Sequence, residues 1–133
     1  MMKKILILCT ANSCRSQMGE GIARHLFSDR CEVYSAGTVA SYVNPSAIEV
    51  MGELGIDISH QTSKSVETLK DISFDLVITV CDNAKENCPV LFGEHVLQHW
   101  PFEDPVGLGL DAFRKVRDQI YRKFEQEIGL YIS

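Results

Sequence analysis

Near its start the chain reads Cys9-Thr10-Ala11-Asn12-Ser13-Cys14-Arg15-Ser16, a cysteine and an arginine separated by five residues. A loop of that length leading into a helix can curl so that successive backbone N–H groups converge. With the positive end of the helix dipole they form a nest for an anion. Arg15 closes such a cradle, because its planar fork donates two parallel hydrogen bonds to a tetrahedral oxyanion, which a lysine cannot do. The same field favours the thiolate of Cys9 and makes it a nucleophile, and Ser16 can donate one further hydrogen bond to it. The expected oxyanion-binding residues are therefore Thr10, Ala11, Asn12, Ser13, Cys14, Arg15 and Ser16. A nucleotide-binding loop is a poor rival, since no Gly-Lys-Ser/Thr ends the run and no glycine opens it.

Two more cysteines stand apart from this loop. Cys81 follows the apolar run Leu76-Val77-Ile78-Thr79-Val80, and Cys88 comes after six polar or small residues, Asp82 to Asn87. The pair lacks a second close Cys/His pair and does not have the short spacing of a zinc knuckle, so no metal site is expected. Asp104 lies in Pro101-Phe102-Glu103-Asp104-Pro105, a loop stiffened by proline at both ends.

These residues need a scaffold, and the hydrophobic pattern supplies one. Ile5-Leu6-Ile7-Leu8 is a continuous apolar run, as in a strand covered on both faces. From Ser16, Met18, Ile22 and Leu26 recur at helical spacing, with Phe27 widening the stripe. A second strand spans Val33-Tyr34 and ends at Gly37. Asn44-Pro45 has the form of a helix start, and Gly55 is expected to close that helix. A short helix over Ser63 to Lys70 precedes the strand Leu76 to Val80, and a further strand is expected around His95 to Trp100. Asp111 reads as the cap of a final helix with Phe113, Val116, Ile120, Phe124 and Ile128 on its apolar face. Alternating strands and helices predict one α/β domain over residues 1–133 with a parallel sheet, which binds ligands beyond the carboxyl ends of its strands. Cys9 and Cys81 both fall there.

The 133 residues are 45% hydrophobic and 23% charged. A chain of this size can bury roughly two-thirds of its unfolded surface without disulfides, so the five cysteines point to chemistry. The count is odd, which also argues against a stapled secreted scaffold. A net charge of −5 argues against binding nucleic acid or an anionic membrane. The first apolar run is too short for a signal-peptide core or a membrane span, so a reducing cytoplasm is the expected compartment. Cys31, and the four histidines His25, His60, His95 and His99, carry no ligand or catalytic spacing and read as packing or surface residues.

Cys9 to Arg15 resembles the phosphate-binding loop of the low-molecular-weight protein tyrosine phosphatases. The longer run Cys-Thr-Ala-Asn-Ser-Cys-Arg-Ser-Gln-Met is closer to their relatives, the thioredoxin-coupled arsenate reductases. The similarity continues through Val33 to Gly37, Val43-Asn44-Pro45, Gly55 to Ser59, Cys81, Asn87-Cys88-Pro89, His99-Trp100 and Asp104-Pro105. It implies a four-stranded parallel sheet flanked by helices and an enzyme that reduces arsenate to arsenite without a bound cofactor. In that scheme Cys9 attacks arsenic and Asp104 protonates the leaving oxygen. Cys81 then attacks Cys9, and Cys88 takes over the disulfide for reduction by thioredoxin.

The alternatives are a phosphomonoesterase working through phosphocysteine, which needs neither Cys81 nor Cys88, and a non-catalytic redox or oxyanion sensor. Phosphatases of the family usually have an aromatic residue after Asp-Pro, whereas this chain has Val106. Potassium-binding reductases use side chains matching Asn12, Glu20 and Ser35, with an aspartate at the position of Lys64. Here the Lys64 ammonium is expected to take the place of the cation and to leave activity indifferent to potassium.

Overall fold

The computed structural model describes residues 2–82, 84 and 95–132. In chain order they form β1 (Lys3–Cys9), α1 (Arg15–Phe27), β2 (Cys31–Gly37), α2 (Pro45–Gly52), a 3-10 turn (Val66–Leu69), β3 (Leu76–Thr79), β4 (Val96–His99), α3 (Leu110–Glu127) and α4 (Gly129–Ile132). The four strands make one parallel sheet in the order β2-β1-β3-β4. The α/β expectation is met. Ile5, Leu6, Ile7 and Leu8 are at most 1% exposed, because β1 is an interior strand with both faces covered, and that demands an apolar run rather than alternation.

Helix α1 packs on β1 and β2 and against α2 and α3. Its stripe of Met18 and Ile22 is fully buried. The apolar face of α3 turns inward at Phe113, Val116, Ile120 and Phe124, and Phe124 meets Trp100 with ring centroids 6.0 Å apart. Asn44 caps α2, its side chain accepting from the Ser46 N–H at 2.8 Å, with Pro45 in the first helical position where its missing N–H costs nothing.

Three local expectations shift. Regular helix in α2 stops at Gly52 rather than running to Gly55. The intervening turn is closed by Gly55 at φ 75°, leaving Leu54 40% exposed instead of on the buried stripe. The segment from Ser63 to Lys70 forms only the four-residue 3-10 turn, because Ser63 and Lys64 are used in bonds to the Cys9–Arg15 loop. Asp111 is not the cap of α3. Gly109 occupies that position, and Asp111 sits in the first turn paired with Arg114.

The strand order decides where the site lies. The chain leaves β1 toward β2 on one side and returns to β3 on the other, so the crevice of the sheet opens between β1 and β3. Leu8 pairs with Thr79 in register. Cys9 and Cys81 therefore leave adjacent strands at the same end of the sheet.

Candidate functional site

The loop between β1 and α1 is held from outside at almost every residue. Thr38 N–H donates to the Cys9 carbonyl at 3.2 Å and Val39 N–H to the Thr10 carbonyl at 3.1 Å. Ser63 Oγ donates to the Ala11 carbonyl at 2.9 Å, Gln17 Nε2 to the Asn12 carbonyl at 3.0 Å, and Asn44 N–H to the Ser13 carbonyl at 2.9 Å. With carbonyls tied outward, the N–H groups of the loop are left to face its hollow. Asn12 takes a positive φ of 49°, a conformation asparagine tolerates better than most residues. Its side chain supports it, with Oδ1 accepting from the Lys64 N–H at 2.9 Å.

Gly37 makes this approach possible. A Cβ there would stand 2.6 Å from the Thr10 carbonyl oxygen and 2.7 Å from the Asn12 nitrogen. Gly37→Ala is expected to cost about 1–3 kcal/mol through overpacking against backbone that cannot yield, and to raise KM for the oxyanion. A urea melt beside a kinetic titration checks both.

Cys9 is 3% exposed, and its Sγ lies 2.8 Å from Ser16 Oγ. Arg15 reaches over the loop, Nη1 donating to the Phe102 carbonyl at 3.1 Å and Nη2 lying 3.8 Å from Asp104 Oδ2. Its Nε is buried and has no hydrogen-bond partner among the described residues, as expected of a donor reserved for a ligand. Asp104 is thus beside the loop, as the sequence reading requires, but its side chain is 55% exposed and faces Arg15, not an apolar wall. Burial first, then the Asp104 carboxylate and Cys9, push the Cys14 thiol up to about 12. Cys14 therefore stays protonated at neutral pH, 3.9 Å from Asp104 Oδ1. A cleft of about 330 Å³ opens over these groups, with Tyr42 and Val106 at its mouth. A second cleft, of about 370 Å³ between α1 and α3, contains His25 and Tyr121 but no cysteine.

Cys81 is brought to the same place. Its Sγ lies 3.3 Å from Thr10 Oγ1, one residue from the nucleophile, and accepts from the Ala84 N–H at 3.4 Å. Cys9, Cys14, Cys31 and Cys81 are all free thiols. Cys88 lies outside the described residues. Burial pushes the Cys31 thiol up to about 11, and it donates to the Phe27 carbonyl at 3.3 Å away from the cleft, in keeping with packing. His99 bridges Thr79 Oγ1 at 2.8 Å and Asp82 Oδ1 at 3.0 Å, tying β4 to the residue after Cys81.

Sequence reasoning missed Gly37 as a loop support, the Ser63 and Gln17 anchors, and Tyr42. Only Gly37 had a readable signal, as a strand-ending glycine beside a loop that must crowd its neighbour. The anchors come from distant segments whose side chains no spacing links to the loop.

Behind the loop, Glu20 is 3% exposed and receives Ser35 Oγ at 2.5 Å and Arg24 Nη1. Lys64 Nζ stands 3.9 Å from Glu20 Oε1. A tethered ammonium thus already faces this carboxylate. Exchanging potassium for sodium at fixed ionic strength should change kcat/KM by no more than about twofold, under ~0.5 kcal/mol. A steady-state assay in the two salts checks this. Among the described residues no group of three or more His, Cys, Asp or Glu is placed to hold a metal, and no helix is long and apolar enough to cross a membrane.

Comparison with known proteins agrees with the geometry. Residues 4–128 match the family model of low molecular weight phosphotyrosine protein phosphatases. Arsenate reductase 1 of Staphylococcus epidermidis is 46% identical over 123 residues, spanning 92% of this chain and 93% of that protein. A solved structure of an arsenate reductase in the oxidized state superposes with a TM-score of 0.89 at 39% identity, covering 99% of this chain and all, 100%, of the other. Another, of an arsenate reductase in the phosphate binding state, gives 0.84 at 40% identity, with coverage of 99% and 100%.

Proposed function

Since this chain belongs to the low molecular weight phosphotyrosine protein phosphatase family, we propose that it is an enzyme of the arsenate-reducing kind, converting arsenate to arsenite by cysteine chemistry. The observation that carries this is Cys81 Sγ at 3.3 Å from Thr10 Oγ1, beside the nucleophile. A hydrolase forming a phosphocysteine has no use for a second thiol there, whereas a reductase needs one.

Arsenate enters the Cys9–Arg15 loop, received by the backbone N–H groups and by the Arg15 fork. The Cys9 thiolate attacks arsenic, a sulfur–arsenic bond forms, and one arsenic–oxygen bond breaks. A dianion beside an ionised carboxylate is repulsive, so the proton that enters with the oxyanion is shared with Asp104 and delivered to the leaving oxygen, which departs as water. Ser16, 2.8 Å from Cys9, holds the sulfur in line.

The Cys81 thiolate then attacks Cys9 sulfur. The sulfur–arsenic electron pair passes to arsenic, which leaves as arsenite, and a Cys9–Cys81 disulfide remains. Cys88 attacks Cys81, frees Cys9 and leaves Cys81–Cys88 for an external dithiol. The proposed reductant is thioredoxin, whose own paired thiols supply the two electrons.

Anaerobic mixing of the fully reduced protein with arsenate tests this reading. One arsenite per chain and a Cys81–Cys88 disulfide in the peptide map are expected. Hydrolysis of phosphate esters with no arsenite would transfer the assignment to a phosphomonoesterase. A disulfide change without arsenite or ester hydrolysis would leave a sensor.

A further inference from the structure

A buried hydrogen-bond chain runs from Glu20 to the nucleophile, and its donors can be assigned one by one. The ionised Glu20 carboxylate only accepts, so the single proton of Ser35 goes to it at 2.5 Å. Ser35 Oγ is then an acceptor, and Asn12 Nδ2 donates to it at 2.9 Å. The other Nδ2 proton of Asn12 goes to Ser16 Oγ at 2.8 Å. Ser16, having accepted, has one proton left and one partner for it, Cys9 Sγ at 2.8 Å. Asn12, Ser16 and Ser35 are all 0% exposed, so water does not interrupt the sequence.

Lys64 touches this chain at two points. Its backbone N–H donates to Asn12 Oδ1 at 2.9 Å, which decides that the amide nitrogen of Asn12, not its oxygen, faces both serines. Its ammonium stands 3.9 Å from Glu20 Oε1 and is kept in place by the Thr62 carbonyl at 2.8 Å. We propose that Lys64 is a positioning residue for Cys9: it keeps the buried Glu20 ionised and the Asn12 amide oriented, so that Ser16 aims its only proton at the nucleophilic sulfur. Burial pushes the Lys64 ammonium down and Glu20 draws it back up, the pattern of a charge retained only because its partner is there. The other cation on Glu20 is Arg24. The titratable or charged groups around Cys9 are Arg15, Cys14, Cys81 and Asp104.

The proposal rests on Cys9 as the reactive thiol but not on arsenate reduction, so its test reads alkylation rather than turnover. Cys9 is alkylated with iodoacetamide from pH 5 to 9 and quantified by peptide mass spectrometry. Protection by inorganic phosphate in the parent protein establishes the site independently of Lys64. Lys64→Met keeps the backbone N–H and removes the charge. It is expected to move the Cys9 profile to higher pH and to slow alkylation at pH 7 about five- to tenfold, roughly 1–1.4 kcal/mol. Lys64→Arg should restore the parent profile.

Placing Lys64→Met on a Ser16→Ala background decides whether the effect travels through the hydrogen-bond chain. Loss of the Lys64 effect there supports the relay, and an undiminished effect overturns it in favour of a direct field on Cys9. An unchanged profile in Lys64→Met also overturns it. Lys64→Gln serves as the second neutral variant, and matching far-UV circular dichroism spectra establish that the compared proteins are folded.

Discussion

Arg15→Lys is expected to lower kcat/KM for arsenate by about 10²–10³-fold, the loss of roughly 3–4 kcal/mol of oxyanion stabilisation. Three features of the site make this substitution severe despite conserving charge. The Arg15 side chain is only 13% exposed, and Nη1 is fixed on the Phe102 carbonyl at 3.1 Å. Its Nε is buried without a partner among the described residues, so the edge carrying Nε and Nη2 is the one available to grip two oxygens at once. A lysine offers a single strongly hydrated ammonium on a flexible stem and cannot both hold Phe102 and fork onto the anion. Steady-state kinetics together with phosphate protection of Cys9 from alkylation measure the loss. A decrease of less than about tenfold would mean that the backbone N–H groups alone hold the oxyanion.

Cys81→Ser is expected to reduce repeated turnover of arsenate with a dithiol protein by on the order of a thousandfold or more. A hydroxyl occupies the same space against Thr10 but cannot form the disulfide that carries two electrons away from arsenic. The loop itself is untouched, so phosphate should still protect Cys9 from alkylation. This separates loss of the relay from loss of the fold. Cys88→Ser should differ in one respect: a single arsenite is released per chain, and the protein then stops as a Cys9–Cys81 disulfide. Retention of full turnover by both variants would remove the relay and return the site to phosphoester chemistry.

How much of this was legible before the chain was folded depends on the range of the interactions. The strand β1, the helix α1 and the loop between them are written in local terms: an apolar run, a stripe at helical spacing, and Cys9 and Arg15 at a spacing that closes a nest. The buried face of α3 was legible for the same reason. Termini were less so. Gly55 and Asp111 are suitable residues in suitable places, but the end of α2 and the start of α3 were decided by which backbone groups were left to satisfy around Gly52 and Gly109.

The electrostatic arrangement behind the loop was legible only in outline. Lys64 could be matched with Glu20 by resemblance to potassium-binding relatives. Its backbone N–H on Asn12, which orients the whole hydrogen-bond chain, could not be seen. Nor could the reason that Gly37 must be glycine, since the atoms a Cβ would strike belong to Thr10, Asn12 and Val39, and only the pairing of β1 with β2 brings Gly37 against the loop that starts at Cys9.

From the residues alone came a nucleophilic thiol in an anion nest, two further cysteines and an aspartate within one parallel α/β domain. Residue type and short-range spacing suffice for each of those. The tertiary structure decided that Cys81 stands beside Thr10, that Asp104 faces Arg15 rather than an apolar wall, and that Lys64 and Glu20 lie behind Asn12. These are contacts between segments 44 to 90 residues apart, created when the sheet order opens its crevice between β1 and β3.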